Sequence, residues 1–185
     1  HVGMNPTRTG ILDILRLMGA DIEVRNERNV GGEPVADMRV RAAALRGVAV
    51  PAELVPLAID EFPALFVAAA CARGTTTVTG AAELRVKESD RIAVMADGLR
   101  TLGVDATPTS DGMVIEGRGG APEVFSSGAV EAHGDHRIAM SFAIAGLRAG
   151  GEIVVRDTAN VATSFPGFGT LAKAAGLSIE ERVQA

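Results

Sequence analysis

Tryptophan and tyrosine are absent from these 185 residues and phenylalanine occurs six times, so the aromatic platforms on which single-stranded nucleic acids stack are nearly missing. Basic tracts are missing too: 18 Lys and Arg stand against 23 Asp and Glu, for a formal net charge of -5. That balance argues against a nucleic-acid or anionic-membrane surface, and any bound anion must be held by a few focused cations. No run reaches the ~20 apolar residues that span a bilayer, and the N-terminus lacks the segments of a signal peptide. A single cysteine excludes a disulfide framework. Cys71 lies in the apolar run Phe66 to Ala72 and reads as a buried thiol in a reducing, cytoplasmic setting, with no neighbouring base or cation to activate it. An initiator Met is also lacking; the opening His1-Val-Gly-Met-Asn-Pro-Thr reads as a chain entered at the end of a strand, which predicts a fragment.

What remains is a core-forming chain, 47% hydrophobic and 22% charged, with an internal repeat. Ile11 to Met18 has apolar residues at helical spacing, stops at Gly19 and continues as the strand-like Asp21-Ile-Glu-Val24. Ile92 to Leu102 repeats this with Gly103 and Val104 to Thr107, and Phe168 to Ala175 repeats it with Gly176 and Leu177 to Glu180. Alanine-rich helices alternate with these, from Asp60 to Ala70 and from Asp135 to Ala145, each opening on an Asp suited to N-capping and leading to a β-branched strand, Thr75 to Val78 or Ile153 to Val155. Helices apolar nearly all round belong inside, and the Leu-rich helices, charged on one face, belong outside. The expectation is an α/β (α+β) architecture with sheets outside a bundle of buried helices. Asn26 to Pro34 and Gly117 to Gly128 read as surface turns.

Charge concentrates where helices begin. Arg85-Val-Lys-Glu-Ser-Asp-Arg91 packs three cations and two carboxylates into one strand-to-helix junction, a position where free backbone N–H groups and the helix dipole attract anions. An ordinary N-terminal cap by Ser89 or Asp90 explains the same spacing equally well. Asp135-His136-Arg137 tips the balance, because Arg137 stands against the dipole of its own helix. Helices entering one core in similar directions would gather Asp60, Lys87, Glu88, Arg91 and Arg137 at one end, with arginine forks for anionic oxygens and carboxylates for proton movement. His136 reads as a packed neutral side chain and His133 as a loop residue.

Leu84-Arg-Val-Lys-Glu-Ser-Asp-Arg-Ile92, Asp135-His-Arg-Ile-Ala-Met140 and Ser164-Phe-Pro-Gly-Phe168 resemble, in order and spacing, the signature segments of the 5-enolpyruvylshikimate-3-phosphate synthase family. Met4-Asn-Pro-Thr-Arg-Thr-Gly10 and Met18-Gly-Ala-Asp-Ile-Glu23 look like its bacterial glyphosate-tolerant branch, as does Thr163 in place of a family lysine. The resemblance implies an inside-out fold of repeated βαβαββ units in two similar domains, with residues 1–185 as the C-terminal domain lacking its N-terminal partner. It implies transfer of the enolpyruvyl group of phosphoenolpyruvate to the 5-hydroxyl of shikimate 3-phosphate, on the shikimate route to aromatic amino acids, with no metal or organic cofactor and with glyphosate as inhibitor. By motif, Asp60 binds shikimate 3-phosphate and takes its hydroxyl proton, Lys87 contacts the shikimate phosphate and assists proton transfer, and Glu88 faces the methylene carbon. Arg91 and Arg137 clamp phosphoenolpyruvate. The family's remaining substrate contacts lie in portions absent here, so the fragment is expected to be inactive alone, within an enzyme that is monomeric at full length. Two alternatives remain open: UDP-N-acetylglucosamine enolpyruvyl transferase, which shares the fold but lacks the Lys-Glu-Ser-Asp-Arg run, and a non-catalytic anion-binding repeat module.

Overall fold

Alanine is the strongest helix former, and a helix made mostly of alanine and bulky apolar residues has no face to give to water. In the computed structural model, which describes residues 1–182, that helix is α2 (Phe62–Ala70), buried at Phe62, Pro63, Leu65, Phe66, Val67, Ala69 and Ala70. It packs against α3 (Arg91–Thr101) and α4 (His136–Ala145), and the sheets lie outside these three helices. One complete βαβαββ unit is visible. Arg46 and Ala49 bridge in parallel to Arg73 and Thr77, α2 returns the chain to β4 (Arg73–Val78), and α3 leads to the pair β5 (Asp105–Pro108) and β6 (Met113–Arg118). The sheet order is β4-β6-β5, with Thr76, Val78, Met113 and Ile115 turned into the core. The next unit repeats the parallel crossover, from β7 (Gly128–Glu131) through α4 to β8 (Ile153–Arg156).

Before these units, β1 (Val2–Gly3), α1 (Gly10–Leu17), β2 (Asp21–Val30) and β3 (Glu33–Arg41) form a smaller layer. The Asn26 to Pro34 stretch is not the expected turn. It continues both strands of a hairpin that reverses at Gly31 and Gly32, both at positive φ, with a register shift between Arg25 and Arg28. Its residues are polar on both faces because the strands are largely solvated, so no alternation betrays them. Leu177 to Glu180 is likewise not a strand: after α6 (Phe168–Ala174), the Leu177 N–H donates to Ala172 and the Gly176 N–H to Lys173, closing the helix end.

The Leu-rich helices divide. α1 is external, buried only at Gly10 and Ile14, whereas α3 is half inside, burying Arg91, Ile92, Met95, Ala96, Gly98 and Leu99. Gly98 explains how α3 comes so close: a Cβ there would stand 2.2 Å from Phe142 Cζ and 2.6 Å from Cε2. Gly98→Ala is expected to destabilise the full-length protein by about 1–3 kcal/mol through overpacking, against the ~1 kcal/mol that alanine contributes in a helix interior. A thermal melt checks this, and a raised midpoint would refute it.

Candidate active site

Four chain segments converge on the N-terminal end of α2. Pro56–Glu61 is a 3-10 segment running directly into α2, so Asp60 sits inside a turn and is not the N-cap expected for it. Ala82–Val86 is another 3-10 turn; Lys87 leaves it extended, and Asp90 then caps α3 by accepting from the Ala93 N–H. Asp135 caps α4 as expected, accepting from the Arg137 and Ile138 N–H groups. Finally Asn5 accepts from the Thr7 N–H and starts a turn at Pro6–Arg8 that delivers Arg8.

Asp60 is the focus. Its Oδ1 lies 3.6 Å from Lys87 Nζ and 3.6 Å from Arg91 Nη1, while its Oδ2 lies 3.3 Å from Arg8 Nη2 and 3.6 Å from Arg137 Nη2. Arg137 Nη1 also donates to the Asp60 carbonyl at 3.0 Å. Burial pushes the Asp60 carboxyl up, but Arg137, Lys87, Arg8 and Arg91 together outweigh it and hold the group below its ordinary 3.8. Lys87 is raised, first by its hydrogen bond to Glu83 and further by Asp60, against the opposing effect of burial, so it stays cationic at neutral pH.

Behind this cluster is a buried pair. Arg91 is 1% exposed and Asp135 is fully buried, with Nε donating to Oδ2 at 2.7 Å and Ser89 Oγ donating to the same oxygen at 3.2 Å. Arg91 Nη2 donates to Glu88 at 2.6 Å. Its Nη1 is buried without a hydrogen-bond partner among the described residues, and it is this nitrogen that faces Asp60. Burial would raise the Asp135 carboxyl, yet the Arg91 hydrogen bond and charge and the two helix N–H groups hold it low.

Four of the five residues singled out from the sequence, Asp60, Lys87, Arg91 and Arg137, therefore meet on one carboxylate. The fifth, Glu88, is half exposed and reaches Arg91 but not Asp60. The sequence pattern does not point to Arg8, marks Glu61 only as an acidic neighbour of Asp60, and marks Asp135 only as a cap. Arg8 is 52 residues from Asp60, so no spacing joins them; the cue available was the Asn-Pro-Thr-Arg turn in front of a helix. Arg85 pairs with Asp90 and donates to the carbonyls of Thr109 and Ser110, a fold-holding role. Cys71 is partly rather than wholly buried, and burial raises its thiol against the smaller effect of Arg148, which leaves it a poor nucleophile. Among the described residues no group of three or more His, Cys, Asp or Glu is placed to hold a metal ion, and no helix is long and apolar enough to cross a membrane.

Known proteins resemble the chain over nearly its whole length. Residues 1–171 match the family model of EPSP synthase (3-phosphoshikimate 1-carboxyvinyltransferase). The chain is 68% identical over 179 residues to the 3-phosphoshikimate 1-carboxyvinyltransferase of Alkalilimnicola ehrlichii, covering 97% of this chain and 39% of the relative. It is 67% identical to that of Methylococcus capsulatus, covering 97% and 40%. The solved EPSP synthase of Acinetobacter baumannii superposes with a TM-score of 0.95 at 61% identity, over 97% of this chain and 41% of that one. The enolpyruvyl transferase NikO of Streptomyces tendae, at 19% identity and a TM-score of 0.62, shares the fold. The chain thus spans about two fifths of the length of these curated relatives.

Proposed function

Because the chain belongs to the EPSP synthase family, we propose that it is the C-terminal domain of that enzyme and supplies its share of the site that joins phosphoenolpyruvate to shikimate 3-phosphate. The observation that carries this is the Asp60 carboxylate held ionised among Arg8, Lys87, Arg91 and Arg137. The reaction needs a base beside concentrated positive charge: the 5-hydroxyl oxygen bonds to C2 of phosphoenolpyruvate as its proton leaves and C3 is protonated, giving a tetrahedral ketal. Elimination then breaks the C2–O bond to phosphate while C3 loses a proton. Asp60 takes the hydroxyl proton, Glu88 gives and recovers the proton at C3, Lys87 holds the shikimate phosphate, and Arg91 and Arg137 hold phosphoenolpyruvate.

Every one of these cations has a carboxylate partner: Arg8 has Glu61, Lys87 has Glu83, Arg91 has Asp135 and Arg137 has Asp60. An incoming anion therefore exchanges partners, displacing Glu83 from Lys87 or Glu88 from Arg91, and both carboxylates are at least half exposed, so little is lost. Asp135 stays with Arg91. The exchange also activates the base: once phosphates occupy Lys87 and Arg137, those cations no longer hold Asp60 so low, and its basicity rises when a hydroxyl is present to use it. The remaining substrate contacts belong to the part of the relatives outside this chain, within a monomeric, cytoplasmic enzyme on which glyphosate would compete for the phosphoenolpyruvate position.

In the full-length protein, Lys87→Ala is expected to weaken shikimate 3-phosphate binding by about tenfold or more, the worth of a charge-assisted hydrogen bond. Titration calorimetry reads it. Unchanged affinity would overturn the assignment and favour a non-catalytic anion-binding scaffold.

A further inference from the structure

Asp60 is followed by a second carboxylate, and the same two arginines hold both. Arg8 Nη2 lies 2.8 Å from Glu61 Oε1 and 3.3 Å from Asp60 Oδ2, while Arg137 places Nη1 3.6 Å from Glu61 Oε1 and Nη2 3.6 Å from Asp60 Oδ2. Glu61 Oε2 is buried with no hydrogen-bond partner among the described residues. Burying half a carboxylate unsatisfied costs stability, so the arrangement is not explained by packing alone. The two oxygens of Asp60 are thereby divided: Oδ2 belongs to this square of two arginines and two carboxylates, and Oδ1 faces Lys87 and the open Nη1 of Arg91.

We propose that Arg8 and Glu61 form a positioning pair for the reaction, in which Glu61 draws Arg8 and Arg137 partly off Asp60 and so leaves the base correctly placed and free enough to accept a proton. This rests on the assignment of Asp60 as base. The charged groups facing Asp60 are Arg8 from the N-terminal turn, Lys87 from the segment before α3, Arg91 from its first residue and Arg137 from α4; among the described residues Glu61 is the one carboxylate besides Asp60 that pairs with Arg8. Without Glu61 both arginines concentrate on Oδ2, hold the proton acceptor too tightly and slow the chemistry, yet leave more positive charge for anions. Without Arg8 the Glu61 carboxylate competes for Arg137, pulling it from Asp60 and from an incoming phosphoenolpyruvate. The two losses differ in kind, which simple damage to the fold would not produce.

The test is steady-state phosphate release by the full-length protein carrying Glu61→Gln, Arg8→Gln or both, with Asp60→Asn in parallel and thermal melts of each. Glu61→Gln is expected to lower kcat by about tenfold with the KM for phosphoenolpyruvate unchanged or lower, and Arg8→Gln to raise that KM by about threefold or more. The double variant should lie closer to the parent than the sum of the single effects, because it returns Arg137 to Asp60 alone. Additive losses, or two singles that change kcat and KM alike and melt lower together, would overturn the pair. If Asp60→Asn retains most of its kcat, the base assignment falls instead, while the coupling between Arg8 and Glu61 is still read from the double variant.

Discussion

Asp135→Ala is expected to lower the stability of the full-length protein by about 3–5 kcal/mol, because it leaves the guanidinium of Arg91 buried and short of its main partner. Arg91 is 1% exposed and donates to Asp135 from Nε at 2.7 Å; with that carboxylate gone, what remains is the half-exposed Glu88 and Asp60 at 3.6 Å, which three other cations share. The start of α4 suffers as well, since the same carboxylate accepts from the Arg137 and Ile138 N–H groups. Replacing both partners by apolar side chains of similar volume, as in Arg91→Met with Asp135→Leu, should recover most of the loss, because no buried charge is then left alone. Denaturant unfolding of both variants checks this; a single variant as stable as the parent would contradict it. The pH dependence follows with a definite sign. The Asp135 carboxyl is held below its ordinary 3.8 in the fold, so its contribution is fully present above that value and is lost as the pH falls through the folded one. Asp135→Ala should therefore flatten the acid limb of stability and leave the alkaline side unchanged.

Asp60→Asn is expected to reduce kcat of the full-length protein by about 10²–10⁴, the range ascribed to a positioned general base. The amide keeps the shape of the carboxylate and removes its charge from among Arg8, Lys87, Arg91 and Arg137. The local potential becomes more positive, so the affinity for anionic substrates should hold or rise, and the loss should appear in kcat with KM unchanged or lower. Phosphate release with both substrates measures it. A kcat within about threefold of the parent would remove Asp60 from the chemistry.

The parts that could be read from sequence were those carried by local pattern. The alanine-rich runs could be read as buried helices because an all-apolar helix has one stable environment, and the Asp135 cap because N-capping is a rule about four neighbouring residues. Asp60 failed the same rule, since its 3-10 turn runs straight into α2 and leaves no free first turn to cap. The Asn26 to Val30 strand was hidden because a solvated hairpin carries no alternation, and the Leu177 to Glu180 segment misled because strand-like residues need a neighbouring strand to become one. The charges of α3 point to a place outside the core, but its first residue, Arg91, is an arginine that Asp135 brings into the core.

The repeat, the layered class, the family motifs and the placing of Lys87, Arg91 and Arg137 beside helix starts were legible in the chain, because each depends on residues close together; that Asp60 and Arg137, 77 residues apart, meet was legible because the repeated unit brings them to one end of the core. The folded chain adds that Arg8 joins them from 52 residues away, that Glu61 shares its two arginines with Asp60, and that Asp135 serves Arg91 as well as its own helix. Coulomb attraction and hydrogen bonding act over a few ångströms of space, whatever the separation along the chain, so which charges are paired is settled only once folding has set those distances.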